Sequence, residues 1–336
     1  MKKLKMKHFL PYKVRKIIIF YSFFRNKKFK YVIILLSIIY FLEIINSLSS
    51  QKDIKVNNHY IFTFWEPHNS LPGIIKLCIR TWKKFLPKDY IIIILDYHNL
   101  KNYLSLKIIN KILCKKMTLP IQADAIRVAI LQKYGGFWMD CDTIITNSDF
   151  INMFNNSDLF LFGNSKDNKA NIGFIYAKNN STILKTWLDR IIIRTRIYKY
   201  RLFLKAIFPI KYFIINFNKL LTWDYLGNGI LNQIIKNSSK NSIRIIERKD
   251  AYVFPEIFIN NGSPYKSFQD FYFTERNPES LLKKCKGILM LHNSWIPAKY
   301  KNMSEEEFLH QDILLSHLLS KLLNDSSEIK YEKNQL

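Results

Sequence analysis

Asp140 and Asp142, one residue apart in the run Gly135-Gly136-Phe137-Trp138-Met139-Asp140-Cys141-Asp142, are the pair in this chain best suited to grip a hard cation. At positions i and i+2 their carboxylates point the same way if a strand persists, and converge on one ion if the chain turns. Two oxygen ligands suit Mg²⁺ or Mn²⁺ better than zinc. Such an ion would neutralise a departing diphosphate. A bare Asp-x-Asp is weak evidence: with 15 Asp in the chain, about one such pair is expected by chance, and alone it reads as a solvated turn. The upstream residues add weight. Asp124 and Arg127 stand three apart on one face of a helix that runs into the Gly135-Gly136 turn. An isolated pair of this kind is a surface salt bridge of little worth. The surrounding helix is apolar, which predicts that this pair faces a cleft or caps the core.

The elements that must position these groups are legible as an alternation of strands and helices. His59–Trp65 reads as an aromatic-rich strand. Pro72 suits the first turn of a helix, along which Ile74, Ile75, Cys78, Ile79, Trp82 and Phe85 recur at helical spacing. Tyr90–Leu95 is a continuous apolar run, which predicts a buried parallel strand. A helix is expected over 103–113. The clearest helix is Pro120–Tyr134, with Ala123, Ile126, Ile130 and Tyr134 along one face and Gly135-Gly136 ending it. Short strands follow at 137–140, 159–162, 172–177, 243–246 and 288–291, with helices at 181–196, 228–236 and 305–323. This order predicts an α/β domain with an open, mostly parallel sheet and helices on both faces. Ligands in such sheets bind beyond the carboxyl ends of the strands. No internal repeat, GxGxxG or Walker loop is present, which argues against phosphate cradling by a glycine-rich backbone loop.

Composition narrows the class. With 336 residues, 48% of them hydrophobic, the chain buries a real core and is not a disordered polymer. The 52 basic and 26 acidic side chains give a formal charge of +26, which favours anionic partners. The excess is uneven: residues 1–30 hold eleven Lys or Arg and no acid, and residues 190–219 hold eight and no acid. In the second stretch Arg194, Arg196, Lys199, Arg201, Lys205 and Lys211 alternate with Tyr198, Tyr200, Phe203, Phe208 and Tyr212. That pattern suits a membrane surface or a lipid-linked acceptor, and nothing in it points to nucleic acid. The four cysteines form no CxxC pair and no disulfide framework, which fits a reducing compartment.

The expected organisation is a basic and apolar, membrane-associated segment over 1–50, a catalytic domain over 57–300 with a basic aromatic helical insert at 190–221, and a C-terminal helix and polar tail over 301–336. Tyr31–Ser49 is long enough to span a bilayer, although Glu43 interrupts it. It either spans or lies on the cytoplasmic leaflet.

The run ADAIRVAILQKYGGFWMDCD at 123–142 resembles the signature of glycosyltransferase family 32, the DXD sugar-binding group, and within it the capsular polysaccharide synthesis branch. IFTFWEP at 61–67, PGIIKLCIRTWKKFLP at 72–87 and IIIILDYHN at 91–99 resemble the family's opening elements. NIGFIYAKNNSTILKTWLDR at 171–190, GNGIL at 227–231 and HNSW at 292–295 resemble later blocks more loosely. The resemblance implies a GT-A-like fold and retaining transfer of a hexose from a nucleotide sugar, a UDP- or GDP-hexose, with Mn²⁺ or Mg²⁺ as cofactor. It implies that Trp65 stacks on the base, that Asp124 and Arg127 contact the donor sugar, and that Asp140 bonds ribose or sugar hydroxyls. It also implies that Asp142 ligates the metal beside Asp140, with His292 as the candidate third ligand; a histidine hydrogen-bonded at a strand end is the alternative. Asn171 and Asn228 are candidates to orient sugar or acceptor, with ordinary loop chemistry as the alternative. The acceptor would be a saccharide or a lipid-linked glycan. The matching location is the cytoplasmic face of a membrane; a type II protein with a lumenal catalytic domain is the alternative. Two other functions stay open on the residues: a membrane-tethered, non-catalytic binding protein for anionic polymers, and a metal-dependent phosphohydrolase.

Overall fold

The computed structural model describes residues 59–67, 69–154, 158–164, 169–207, 222, 224–237, 243–247, 264–274, 278–285 and 287–324. The expected membrane-associated segment at 1–50, the 208–221 part of the basic stretch and the tail beyond 324 lie outside the described residues.

In chain order the elements are β1 (Tyr60–Phe64), α1 (Gly73–Phe85), β2 (Ile91–Leu95), α2 (Leu106–Ile112), α3 (Leu119–Tyr134), β3 (Gly136–Met139), β4 (Thr143–Ile145), β5 (Leu159–Asn164), β6 (Lys169–Ala177), α4 (Thr182–Ile207), α5 (Asn228–Asn237) and β7 (Ile243–Glu247). They are followed by α6 (Pro264–Thr274), α7 (Glu279–Lys284), β8 (Ile288–Met290), α8 (Ala298–Lys301), α9 (Glu305–Leu309) and α10 (Leu314–Asn324). The main sheet has the order β2-β1-β3-β6-β5-β7. Pairs β2/β1, β1/β3 and β5/β7 are parallel, while β6 runs antiparallel to both β3 and β5. The α/β class and the mostly parallel sheet match the sequence expectation. The reversed β6 is what brings residues 171–173 alongside Met139 and Asp140.

Side chains alternate across this sheet with period two, and each set has its own helical layer. Ile61, Phe137, Met139, Phe160, Phe162, Phe174 and Tyr176 pack with α1, α6 and α10. Tyr60, Phe62, Trp138, Leu159, Leu161, Ile175 and Ala177 pack with α3, α4 and α5. Covering both faces explains why these strands are apolar throughout rather than alternating with polar residues. β2 departs from the expectation. It is parallel to β1, but among the described residues it pairs with β1 alone, and Ile91 is 46% exposed. An apolar run cannot by itself distinguish a central strand from an edge strand.

Two further expectations are corrected. The helix expected over 305–323 is two helices, α9 and α10, separated by residues 310–313. A capping box between Ser304 and Glu307 starts α9, and this local signal sets a short first helix. The helix expected over 181–196 runs on to 207, so the described part of the basic aromatic stretch, residues 190–207, is helical and continuous with α4.

Candidate functional site

Helix α3 is buried almost all round from Ile121 to Tyr134, so its polar side chains have no water to turn to. Asp124 and Arg127 are each buried, and their side chains are 6% exposed. The chain then reverses through two glycines with positive φ, Gly135 at 69° and Gly136 at 86°. A Cβ at Gly136 would stand 2.6 Å from the Tyr60 carbonyl oxygen, so β3 can approach β1 only with glycine at its start. That approach sets the register of β3 and delivers Asp140 just past its end, level with the end of β1. A turn then closes, with the Thr143 amide donating to the Asp140 carbonyl at 3.0 Å. The two aspartates therefore flank a turn and do not share one strand.

Arg127 is the hub of the site. Its guanidinium donates to Asp140 Oδ1 at 3.2 Å, approaches Asp124 Oδ1 at 3.3 Å, donates to the Ile172 carbonyl and lies 5.0 Å over the Trp138 ring. The Trp138 indole adds a second hydrogen bond to Asp140 Oδ1, at 2.9 Å. Asp142 is anchored from the far end of the sequence, where the Asn293 amide donates to its Oδ2 at 2.6 Å and the Leu291 amide to its carbonyl at 2.8 Å.

Arg127 thus pairs with the buried Asp124 and the part-exposed Asp140, with the half-buried Asp142 close by. Burial pushes the Asp124 carboxyl up to about 7, with Asp140 and Asp224 adding to the rise and Arg127 opposing it. Burial pushes Asp142 up to about 7 as well, reinforced by Asp140 and opposed by the Asn293 and Asp142 backbone amides and by Arg127. Three carboxylates share this corner with Arg127, and Lys301 interacts with Asp142 from the C-terminal side, so the negative charge gathered here favours a positively charged ligand.

These groups line a cavity of about 490 Å³ beyond the carboxyl ends of β1 and β3. Trp65, Asp124, Arg127, Asp140, Asp142, Asn171, Asn228 and His292 all border it. Among the described residues, four polar atoms of its lining are buried without a hydrogen-bond partner: Trp65 Nε1, Arg127 Nε, Asn228 Oδ1 and Asn293 Oδ1. Buried polar groups are nearly always paired, so four orphans around one cavity are unspent capacity for a polar ligand.

The sequence-predicted residues differ in how they are engaged. Arg127 is committed largely to protein partners, so its place is to hold Asp124 and Asp140. Asn171 turns its Oδ1 to the Gly173 amide at 2.8 Å. His292 lies against Trp295 with the rings tilted by 44° and their centroids 4.2 Å apart. Among the described residues no three His, Cys, Asp or Glu side chains form a group fit to hold a metal, so His292 does not join Asp140 and Asp142 in such a set.

Sequence reasoning missed four contributors. Asn293 sits beside His292 in the quoted HNSW block, and both its backbone amide and its side-chain oxygen belong to the site. Glu66 borders the cavity and accepts from the Tyr97 amide at 3.0 Å. Gly173 and Gly227 are pressed against carboxylates: a Cβ would stand 2.9 Å from Asp140 Oδ2 at the first and 2.2 Å from Asp124 Oδ2 at the second. Both glycines lie in the blocks NIGF and GNGIL, whose family resemblance is the signal the sequence offers for them.

A family model described as capsular polysaccharide synthesis protein matches residues 19–249. No curated protein matches the chain. Among solved structures, the galactosyltransferase LgtC in complex with donor and acceptor sugar analogs is similar at 9% identity and a TM-score of 0.38, over 79% of this chain and 95% of that one. The glycosyltransferase GlyE of Streptococcus pneumoniae TIGR4 is similar at 14% identity and a TM-score of 0.36, over 83% of this chain and 67% of that one. The PaToxG glycosyltransferase is similar at 17% identity and a TM-score of 0.34, over 54% and 69%.

Proposed function

The chain belongs to the capsular polysaccharide synthesis protein family, and on that premise we propose that it is a glycosyltransferase moving a hexose from a nucleotide sugar, a UDP- or GDP-hexose, to a saccharide or lipid-linked acceptor. The observation that carries this reading is the cavity itself: three carboxylates around one arginine, with unpartnered polar atoms in the surrounding wall.

The donor set fits a divalent cation. Asp140 and Asp142 offer hard oxygen atoms within one turn, and the Asp140 carboxylate raises the cost of charge on Asp142. We assign these two residues as the holders of Mn²⁺ or Mg²⁺. When bound, such an ion supplies neutralisation of the leaving diphosphate. The other roles fall to the chain's own side chains. Arg127 and the Trp138 indole fix Asp140 in place. The Asn293 amide fixes Asp142. Trp65, at the end of β1, offers a flat apolar face to the base and an unpaired N–H at its edge. Asp124, Asn228 and the Asn293 side chain offer acceptors to sugar hydroxyls. No carboxylate is placed as a separate nucleophile in this reading, so retention would follow from departure and attack on the same face of the sugar, with catalysis by positioning and charge stabilisation. Capture of a covalent glycosyl-enzyme would overturn that step.

The test is slow hydrolysis of a panel of nucleotide sugars with Mn²⁺, followed by phosphorus NMR. A transferase releases free hexose and the nucleoside diphosphate. A phosphohydrolase cutting the diphosphate would release hexose 1-phosphate and the nucleoside monophosphate, and a non-catalytic binding protein would release nothing. Either of the last two results rejects the proposal.

A further inference from the structure

Helix α4 has two unlike sides. Its inner side packs on α3 and α5 and holds one wall of the cavity: the Trp187 indole donates to the Leu226 carbonyl at 2.8 Å and Arg194 donates to the Tyr225 carbonyl, just ahead of Gly227 and Asn228. Its outer side carries Ile193, Ile197, Tyr200 and Phe203, exposed by 53%, 42%, 60% and 40%. Spaced by four, three and three residues, these form one stripe along the helix. A packed helix normally turns such a stripe inward, and large contiguous apolar patches on a surface mark interaction sites.

Charge identifies the occupant. Arg196 lies exposed within the stripe, Arg190 and Arg201 are half-buried near its two ends, and no acid occurs from 190 to the end of α4. Asp189 is exposed at the start of the stripe, and Asp224 lies near Arg194 on the inner side of the helix. Apolar and aromatic side chains interleaved with arginines match the boundary between acyl chains and anionic headgroups. We propose that the outer face of α4 docks on an anionic lipid bilayer. The same helix then links the bilayer to the cavity wall at 225–228, which would hold the site beside a lipid-linked acceptor. The docking claim does not depend on the enzymatic reading, because it uses none of the cavity residues.

The test is sedimentation of the full chain with vesicles of phosphatidylcholine alone and of phosphatidylcholine with about one-third phosphatidylglycerol. The comparison is between the unaltered chain and a variant carrying Ile193→Ser, Ile197→Ser, Tyr200→Ser and Phe203→Ser. The expected result is binding to the anionic vesicles only, with at least about a tenfold increase in the lipid needed by the variant. A second variant, Arg196→Glu with Arg201→Glu, leaves the stripe intact and should weaken anionic binding by a similar factor at low salt. Circular dichroism checks that each variant is folded, and nucleotide-sugar hydrolysis in solution should be unchanged. Equal partition of the unaltered chain and both folded variants overturns the proposal. So does a variant whose partition is unchanged but which turns a dimer into a monomer by light scattering, since the stripe would then belong to a second copy.

Discussion

Helix α3 carries Asp124 and Arg127 in its interior, each side chain 6% exposed, whereas its neighbour α4 turns Ile193, Ile197, Tyr200 and Phe203 outward at 40–60% exposure. Each arrangement reverses what burial alone would favour. Charges in α3 sit where water is scarce, and apolar rings and branched chains in α4 sit where water is plentiful. The first reversal is held in place by partners: Arg127 bridges two carboxylates, Trp138 braces one of them, and Gly227 leaves room for the other. The second has no such internal compensation among the described residues. A buried charge that is compensated points to chemistry within the fold. An exposed apolar stripe that is not compensated points to something outside it.

The largest expected effect lies at the end of β3. Asp142→Asn should lower nucleotide-sugar hydrolysis by on the order of a thousandfold, while the melting temperature stays level or rises, because a buried like charge has gone. A collapse in stability with activity per folded molecule retained would move Asp142 from the chemistry to the scaffold. Next in size is Arg127→Leu. It removes the partner of the buried Asp124 carboxylate, while Asp140 keeps its access to water, and should cost about 3–5 kcal/mol in urea unfolding. A cost below about 1 kcal/mol would show that α3 tolerates uncompensated charge, and the contrast between the helices would fail.

Gly227→Ala comes third. Its Cβ would fall 2.2 Å from Asp124 Oδ2, and overpacking of this kind costs about 1–3 kcal/mol. In an Asp124→Ala background the cost should shrink, and a double-mutant cycle measures the difference. A cycle that closes at zero would mean the glycine serves something other than the carboxylate.

The fourth expectation concerns pH. Asp124 and Asp142 titrate at about 7 in the folded chain and near 4 when unfolded. Between these values the folded state binds more protons. The stability they contribute is therefore fully present below about pH 4 and is lost as pH rises through about 7, provided no divalent cation is added. Thermal unfolding from pH 4 to 8 should show this decline, and Asp142→Asn should flatten it. The smallest effect belongs to the outer face of α4: Ile193→Ser should change stability by no more than about 0.5 kcal/mol, whereas Trp187→Ala on its inner face should cost about 3–5 kcal/mol.

The two helices also differ in how far they could be read in advance. α3 was legible because its chemistry is local. An apolar helix, two glycines and a strand place Asp124, Arg127 and Asp140 within 17 residues of sequence. α4 was legible in composition but not in extent, since its helical run continues eleven residues beyond the expected end, from 196 to 207. The rest of the site was hidden by distance along the chain. The Asn293 amide reaches Asp142 across 151 residues, and Gly173 and Gly227 matter only because other strands and helices bring carboxylates against them. The edge position of β2 and the break between α9 and α10 were hidden for a different reason: a hydrophobic pattern reports that a residue is covered, not which neighbour covers it.

On the proposed function, the cavity at the ends of β1 and β3 binds a nucleoside diphosphate through a cation held by Asp140 and Asp142. Calorimetric titration of UDP and GDP into the full chain, with and without Mn²⁺ and beside Asp142→Asn, tests it most directly. One of the two nucleotides should bind only when Mn²⁺ is present, and that binding should be lost from the folded variant. Equal binding with and without the metal, or by the variant and the unaltered chain alike, would contradict it.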